Sequence, residues 1–142
     1  MAKIYFAGPL FTWGEREQNR RIVSALRSAG HTVFLPQEQE QKETSSGAIF
    51  WSDMNGLYAS DVIVGCMDQA DPDSGTCFEV GAFYKSRGPI ILYRTDIREE
   101  SVPLGPYNLM LHQAADAVLD CKWMEPERIA GEINAAIKRV LP

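Results

Sequence analysis

Three short runs constrain this 142-residue chain more than anything else in it: "KIYFAG" at 3 to 8, "DVIVGCM" at 61 to 67 and "PIILYR" at 89 to 94. Each is rich in β-branched and aromatic residues with little polar interruption, the pattern of a strand buried on both faces. "HTVFLP" (31 to 36) and "DAVLD" (116 to 120) are weaker versions. Helical patterns lie between them. Ile22, Val23, Leu26 and Ala29 follow the polar "WGEREQNRR", then come Phe50, Met54, Leu57 and Tyr58, then Phe78, Ala82 and Phe83. Ile129, Ile133, Ile137 and Val140 recur at the spacing of one helix face.

Such alternation implies right-handed βαβ units and a sheet covered by helices on both faces. The expected fold is a single doubly wound α/β domain over residues 1–142, flavodoxin- or Rossmann-like, with a five-stranded, mostly parallel sheet. A chain of this length buries roughly 70% of its unfolded surface, enough for one core. Ligands of doubly wound sheets bind beyond the carboxyl ends of the strands. That rule selects the loops from Gly8 to Phe11, from Asp68 to Ser74 and from Thr95 to Tyr107. The polar stretch "PQEQEQKETSSG" (36 to 47) reads as a mobile excursion over the same end.

A net charge of −5 repels polyanions, and Arg16, Arg20 and Arg21 form one local basic cluster against it, so a nucleic-acid polymer is not an expected partner. The apolar run before Gly8-Pro9, about five residues, is too short for a signal-peptide core or a membrane span. A cytoplasmic protein without membrane contact is expected. Cys66, Cys77 and Cys121 are odd in number and contain no C-x-x-C, which argues for reduced, partly buried thiols over disulfides or zinc. His31 and His112 have no evident partner and read as structural.

The run "DPDSGTCFEVG" (71 to 81) places Glu79 among Phe78, Val80 and Phe83, close to the start of a helix. A capping-box or helix-dipole carboxylate, with Ser74 or Thr76 as the cap, is one explanation. The company of Glu79 suggests another. Tyr5 on the first strand, Asp53 on the second helix and Asp73 in the third-strand loop converge on the same mouth. Several carboxylates and a phenol without a metal-ligand set point toward glycosyl chemistry.

Tyr5 in "IYFAGP", Asp53 and Asn55 in "WSDMNGLYASDVIVG", Asp73, Gly75 and Glu79 in "DPDSGTCFEVGAFY", and "YNLML" at 107 to 111 together resemble the nucleoside 2-deoxyribosyltransferase family. The motifs stand in the family's order, from the first strand to about residue 120. The resemblance implies transfer of a 2-deoxyribosyl group between nucleobases with retention, through a covalent glycosyl-enzyme. It implies Glu79 as nucleophile, Tyr5 as its hydrogen-bond donor, and Asp53 as the acid toward the departing base, its pKa raised by partial burial beside Trp51 and Met54. Asp73 and Gly8 would lie against the substrate, although Asp73 could equally be a turn former. Asn108 would reach the sugar 5′-hydroxyl from a neighbouring subunit, and Met110 would line the base pocket or belong to the core. Deoxynucleosides and free nucleobases are the implied partners, in a homodimer or ring of dimers with shared sites. No cofactor or metal is implied.

The first alternative is an N-glycosidase of deoxynucleosides or their 5′-monophosphates on the same fold, with water as acceptor. Phosphate recognition there resembles a serine-rich arrangement, with serine six residues before the glutamate. Asp73 occupies that position here, and a carboxylate facing a phosphate dianion costs binding. "GTCFE" matches half of the phosphoribohydrolase pattern, but Asp71-Pro72-Asp73 replaces its leading glycines. A flavodoxin-like binding module without catalysis is the third.

Overall fold

The computed structural model describes residues 1–40, 42, 44–98 and 105–142. Five strands, β1 (Lys3–Ala7), β2 (Thr32–Phe34), β3 (Val62–Cys66), β4 (Ile90–Arg94) and β5 (Ala117–Asp120), form one sheet in the order β2-β1-β3-β4-β5. Every pairing is parallel, so the expected mostly parallel sheet is parallel throughout. β1 alternates sharply. Ile4 and Phe6 join one core cluster, and Tyr5 and Ala7 the other.

Helices α1 (Trp13–Ser28) and α6 (Pro126–Val140) cover the first face, contributing Ile22, Val23, Leu26, Ile129, Ile133 and Ile137 to its core. Thr12 and Glu15 close a capping box at the start of α1. At its end Ala29 is the C-cap, and Gly30 takes φ +95°, the left-handed region glycine tolerates. The second face carries α3 (Ser46–Tyr58), α4 (Ser74–Tyr84) and the short α5 (Leu109–Ala114). Met54, Leu57, Val80, Phe83 and Tyr107 pack there against Tyr5, Ile63 and Leu92. Phe50, Tyr58 and Phe78, which belong to the apolar helical pattern, are instead exposed.

The chain runs from β1 outward to β2, then returns past β1 to β3 and continues to β5. The order therefore reverses between β1 and β3, and the crevice beyond their carboxyl ends is the switch point of the sheet. The stretch at 36 to 47 departs from the expected mobile excursion at its start. Pro36–Gln39 form a helical turn, α2, and Pro36 and Gln37 are buried. Buried Asn19 explains why: its amide donates to Pro9 O at 2.9 Å and to Gln37 Oε1 at 3.1 Å, and Gln37 Nε2 donates to Arg16 O at 3.0 Å. These bonds tie the loop after β1 to the segment after β2. Residues 99–104 of the loop after β4, and positions 41 and 43, lie outside the described residues.

Candidate active site

Tyr5 is fully buried, and its hydroxyl donates to Glu79 Oε1 at 2.7 Å across 74 residues of sequence. The pleat sends Tyr5 toward α3 and α4, and α4 starts close to the end of β3. Helix α4 is capped by Asp73, neither by Ser74 nor by Thr76. Asp73 Oδ2 accepts from Thr76 N at 2.9 Å and from Thr76 Oγ1 at 3.0 Å. Counting from that cap, Glu79 is the sixth helical residue, in the second turn. It is too deep to be the capping-box partner, which occupies the third position.

The electrostatics gather the acids. Burial pushes Glu79 up to about 7 from its usual 4.5; the Tyr5 hydrogen bond works against that rise, and the charges of Asp53 and Asp73 add to it. Burial, followed by the charge of Glu40, pushes Asp53 up to about 6. That is the expected direction, but Trp51 is itself exposed, and Glu40 is the contributor the sequence did not reveal. Burial, the Glu79 charge and hydrogen bond, and the Asp53 charge hold the Tyr5 phenol far above its usual range, so Tyr5 remains a donor. Asp53 Oδ1 is buried without a hydrogen-bond partner among the described residues.

Keeping Glu79 here costs stability. The folded chain retains a proton that the unfolded chain releases, because the folded value lies above the ordinary one. Stability from this group is complete below about pH 4.5 and is lost as pH rises through about 7. The loss is at most about 3 kcal/mol. Full burial of Leu57, Ile63, Val80 and Phe83 beneath the site, at roughly 1.5–3 kcal/mol each, exceeds it. Glu79→Gln keeps an acceptor for Tyr5 and removes the charge. Its Tm should exceed that of the parent by several degrees at pH 8 and match it near pH 4; equal Tm values at pH 8 would contradict the burial cost.

The other expected site residues are distributed differently. Gly8 directly follows β1. An added Cβ would sit 3.2 Å from Cys66 Cβ and 3.6 Å from Asn19 Oδ1, so close packing accounts for the glycine. Asn108 is exposed and caps α5, its Oδ1 accepting from Met110 N at 2.9 Å. Met110 is 73% exposed and is not a core residue. It lines a groove of about 360 Å³ with Cys77, Val80, Gly81 and Tyr84 of α4. At 100° per residue, those four positions centre about 150° around α4 from Glu79. Within one chain, α5 therefore lies on the flank of α4 turned away from the Tyr5–Glu79 pair. α5 itself was not evident as a helix, since it is only six residues long.

His31 differs from the expected unpaired residue. Its Nδ1 accepts from Ala2 N at 3.2 Å and its Nε2 lies 2.9 Å from Asn134 Oδ1, a link between the start of β1 and α6. His112 leans against the Tyr107 ring. Cys66, Cys77 and Cys121 are unbridged. Among the described residues there is no cluster of His, Cys, Asp and Glu that could hold a metal ion, and no helix is long and apolar enough to cross a membrane.

The family model described as Nucleoside 2-deoxyribosyltransferase matches residues 4–119, a span that contains every candidate from Tyr5 to Met110. A nucleoside deoxyribosyltransferase of Limosilactobacillus fermentum is 29% identical over 143 residues, 87% of this chain and 79% of that protein. Among solved structures, a 2-deoxyribosyltransferase of Bacillus psychrosaccharolyticus superposes with a TM-score of 0.70 at 30% identity, covering 83% of this chain and 85% of that one. A conserved protein of Enterococcus faecalis V583 superposes with a TM-score of 0.75 at 25% identity, covering 96% and 99%.

Proposed function

Because this chain belongs to the nucleoside 2-deoxyribosyltransferase family, we propose that it moves a 2-deoxyribosyl group between nucleobases by double displacement on Glu79. The observation that carries this reading is the 2.7 Å hydrogen bond from buried Tyr5 to Glu79, set among further acids at the switch point of the sheet. A carboxylate oxygen of Glu79 attacks C1′ as the C1′–N bond breaks. The bonding pair leaves with the base, which takes a proton from Asp53. The sugar is then held as an ester of Glu79, and a second base attacks C1′, returns its proton to Asp53 and releases the carboxylate. Two inversions give net retention.

Tyr5 favours the ionised form of Glu79 by donating to it, while burial keeps a proton on Asp53 to higher pH than an ordinary aspartate. The unpartnered Asp53 Oδ1 suits a hydrogen bond to the ring of the base. Asp73 supplies negative charge near the cationic transition state while its Oδ2 holds the helix cap through Thr76. Asn108 and Met110, on the far flank of α4, act in this reading on the site of a second subunit within a homodimer or ring of dimers.

Incubation with a deoxynucleoside and a different free base tests the reading: base exchange is expected. Release of free deoxyribose without exchange would make the protein an N-glycosidase, and no turnover would leave a binding module. The pH dependence follows from the pair. With midpoints near 7 for Glu79 and near 6 for Asp53, the working form, ionised Glu79 beside protonated Asp53, is the minor of the two singly protonated forms and is most populated between the two midpoints. The kcat/KM profile should be a bell with limbs near pH 6 and 7. Asp53→Asn should abolish its alkaline limb; a profile flat from pH 5 to 8 would rule out this acid pair.

A further inference from the structure

We propose that Phe34, seated against α3 at Gly56, is a positioning residue that aims the Tyr5 hydroxyl at Glu79; the inference rests on the Glu79 reading above. Tyr5 and Phe34 are register partners across β1 and β2, so their side chains leave the sheet on the same face. Their rings stack with centroids 5.4 Å apart and planes 12° apart. At that separation nearly parallel rings are offset, an arrangement their quadrupoles favour. One face of the Tyr5 ring therefore rests on Phe34 while its hydroxyl reaches Glu79, and rotation of the ring away from the acid disturbs the stack.

Gly56 fixes the other side of Phe34. A Cβ at position 56 would lie 2.5 to 2.7 Å from three atoms of the Phe34 ring, so only glycine lets α3 rest on that ring without displacing it. Gly56 is three residues after Asp53, which places both on one face of α3. The close approach that seats the helix on Phe34 also brings the Asp53 charge to bear on Tyr5 and Glu79. β2 thus contributes to the chemistry without offering a reacting group.

The test combines activity with a direct titration of the Glu79 carboxyl by carbon-13 NMR. Phe34→Leu should lower kcat about tenfold, in line with the loss of a hydrogen bond to a charged group, and leave KM within about twofold. It should also raise the Glu79 midpoint, because the Tyr5 bond that lowers it is weakened. Phe34→Tyr, which keeps the ring, should restore both values. Gly56→Ala should move them in the same direction as Phe34→Leu. In a Tyr5→Phe background, Phe34→Leu should change neither. Wild-type kcat and midpoint in Phe34→Leu, or an equal loss of kcat in the Tyr5→Phe background, would overturn the positioning role while leaving Glu79 its own. A Tyr5→Phe variant with unchanged kcat and midpoint would instead remove the hydrogen bond from the mechanism, and this inference with it.

Discussion

Glu79→Gln should lose deoxyribosyl transfer by a factor of at least about 10³, a barrier increase of roughly 4 kcal/mol, in a chain that remains folded. The amide is nearly the same size and can still accept from Tyr5, but it lacks the charge that, in the proposed mechanism, attacks C1′ and compensates the oxocarbenium-like transition state. Among the described residues, neither neighbouring carboxylate is placed to substitute. Asp73 is engaged with Thr76 through Oδ2, and Asp53 sits on the other helix, where the proposed mechanism assigns it to the base. A variant within about tenfold of the parent would sink the assignment, since that is only about 1.4 kcal/mol. The intermediate offers a separate check. A 2-fluorinated deoxynucleoside destabilises positive charge at C1′, slows both half-reactions and should leave the sugar esterified on the peptide containing Glu79. A label found on another residue would reassign the nucleophile.

Mixing Glu79→Ala with Asn108→Ala, each expected to be inactive alone, should restore activity under conditions that allow subunits to exchange. Helix α5 packs on the flank of α4 that faces away from Glu79, and Asn108 at its cap is exposed. An Asn108 that serves the site of a two-fold partner leaves each variant alone with no complete site. A mixed dimer has one site with both residues intact and one with neither. Random pairing makes half of the dimers mixed, so activity should return to about a quarter of the parental value. Verified exchange without any recovered activity, together with a fully active dilute monomer, would place the "YNLML" segment on its own chain's site. The Glu79 chemistry would survive that outcome.

The strands were legible because each carries an uninterrupted apolar run, and their observed limits fall within one or two residues of those runs. α6 was equally plain, since Ile129, Ile133 and Ile137 are buried along one face. Tyr5, Asp53 and Glu79 were singled out from motif order, and the structure sets the neutral Tyr5 hydroxyl within the influence of both acids. What escaped depended on packing partners far apart in sequence. Gln37 looked like part of a polar loop because its burial depends on Asn19, eighteen residues away. Glu40 gave no sign of its effect on Asp53. Phe34 looked like an ordinary strand residue, because its significance comes from a register pair with Tyr5 and from a glycine on another helix. Phe50 and Phe78 misled for the opposite reason: an apolar residue at helical spacing can face solvent as readily as a core.

The bond between Tyr5 and Glu79 joins positions 74 residues apart, and Tyr5 belongs to a strand held between two others. Loop closure over such a separation carries an entropy cost that local helices do not face, so contacts of this kind form slowly and together with the sheet. Strand pairing also has to find the correct register. A one-residue slip of β1 would turn Tyr5 into the α1–α6 core and set Ile4 or Phe6 beneath the acids. During refolding, α1 and α6 can therefore regain their helical signal before any site exists. A site built on the Tyr5–Glu79 bond cannot turn over before β1 settles between β2 and β3, so sheet assembly sets the earliest time at which activity could return, whatever delay subunit association then adds.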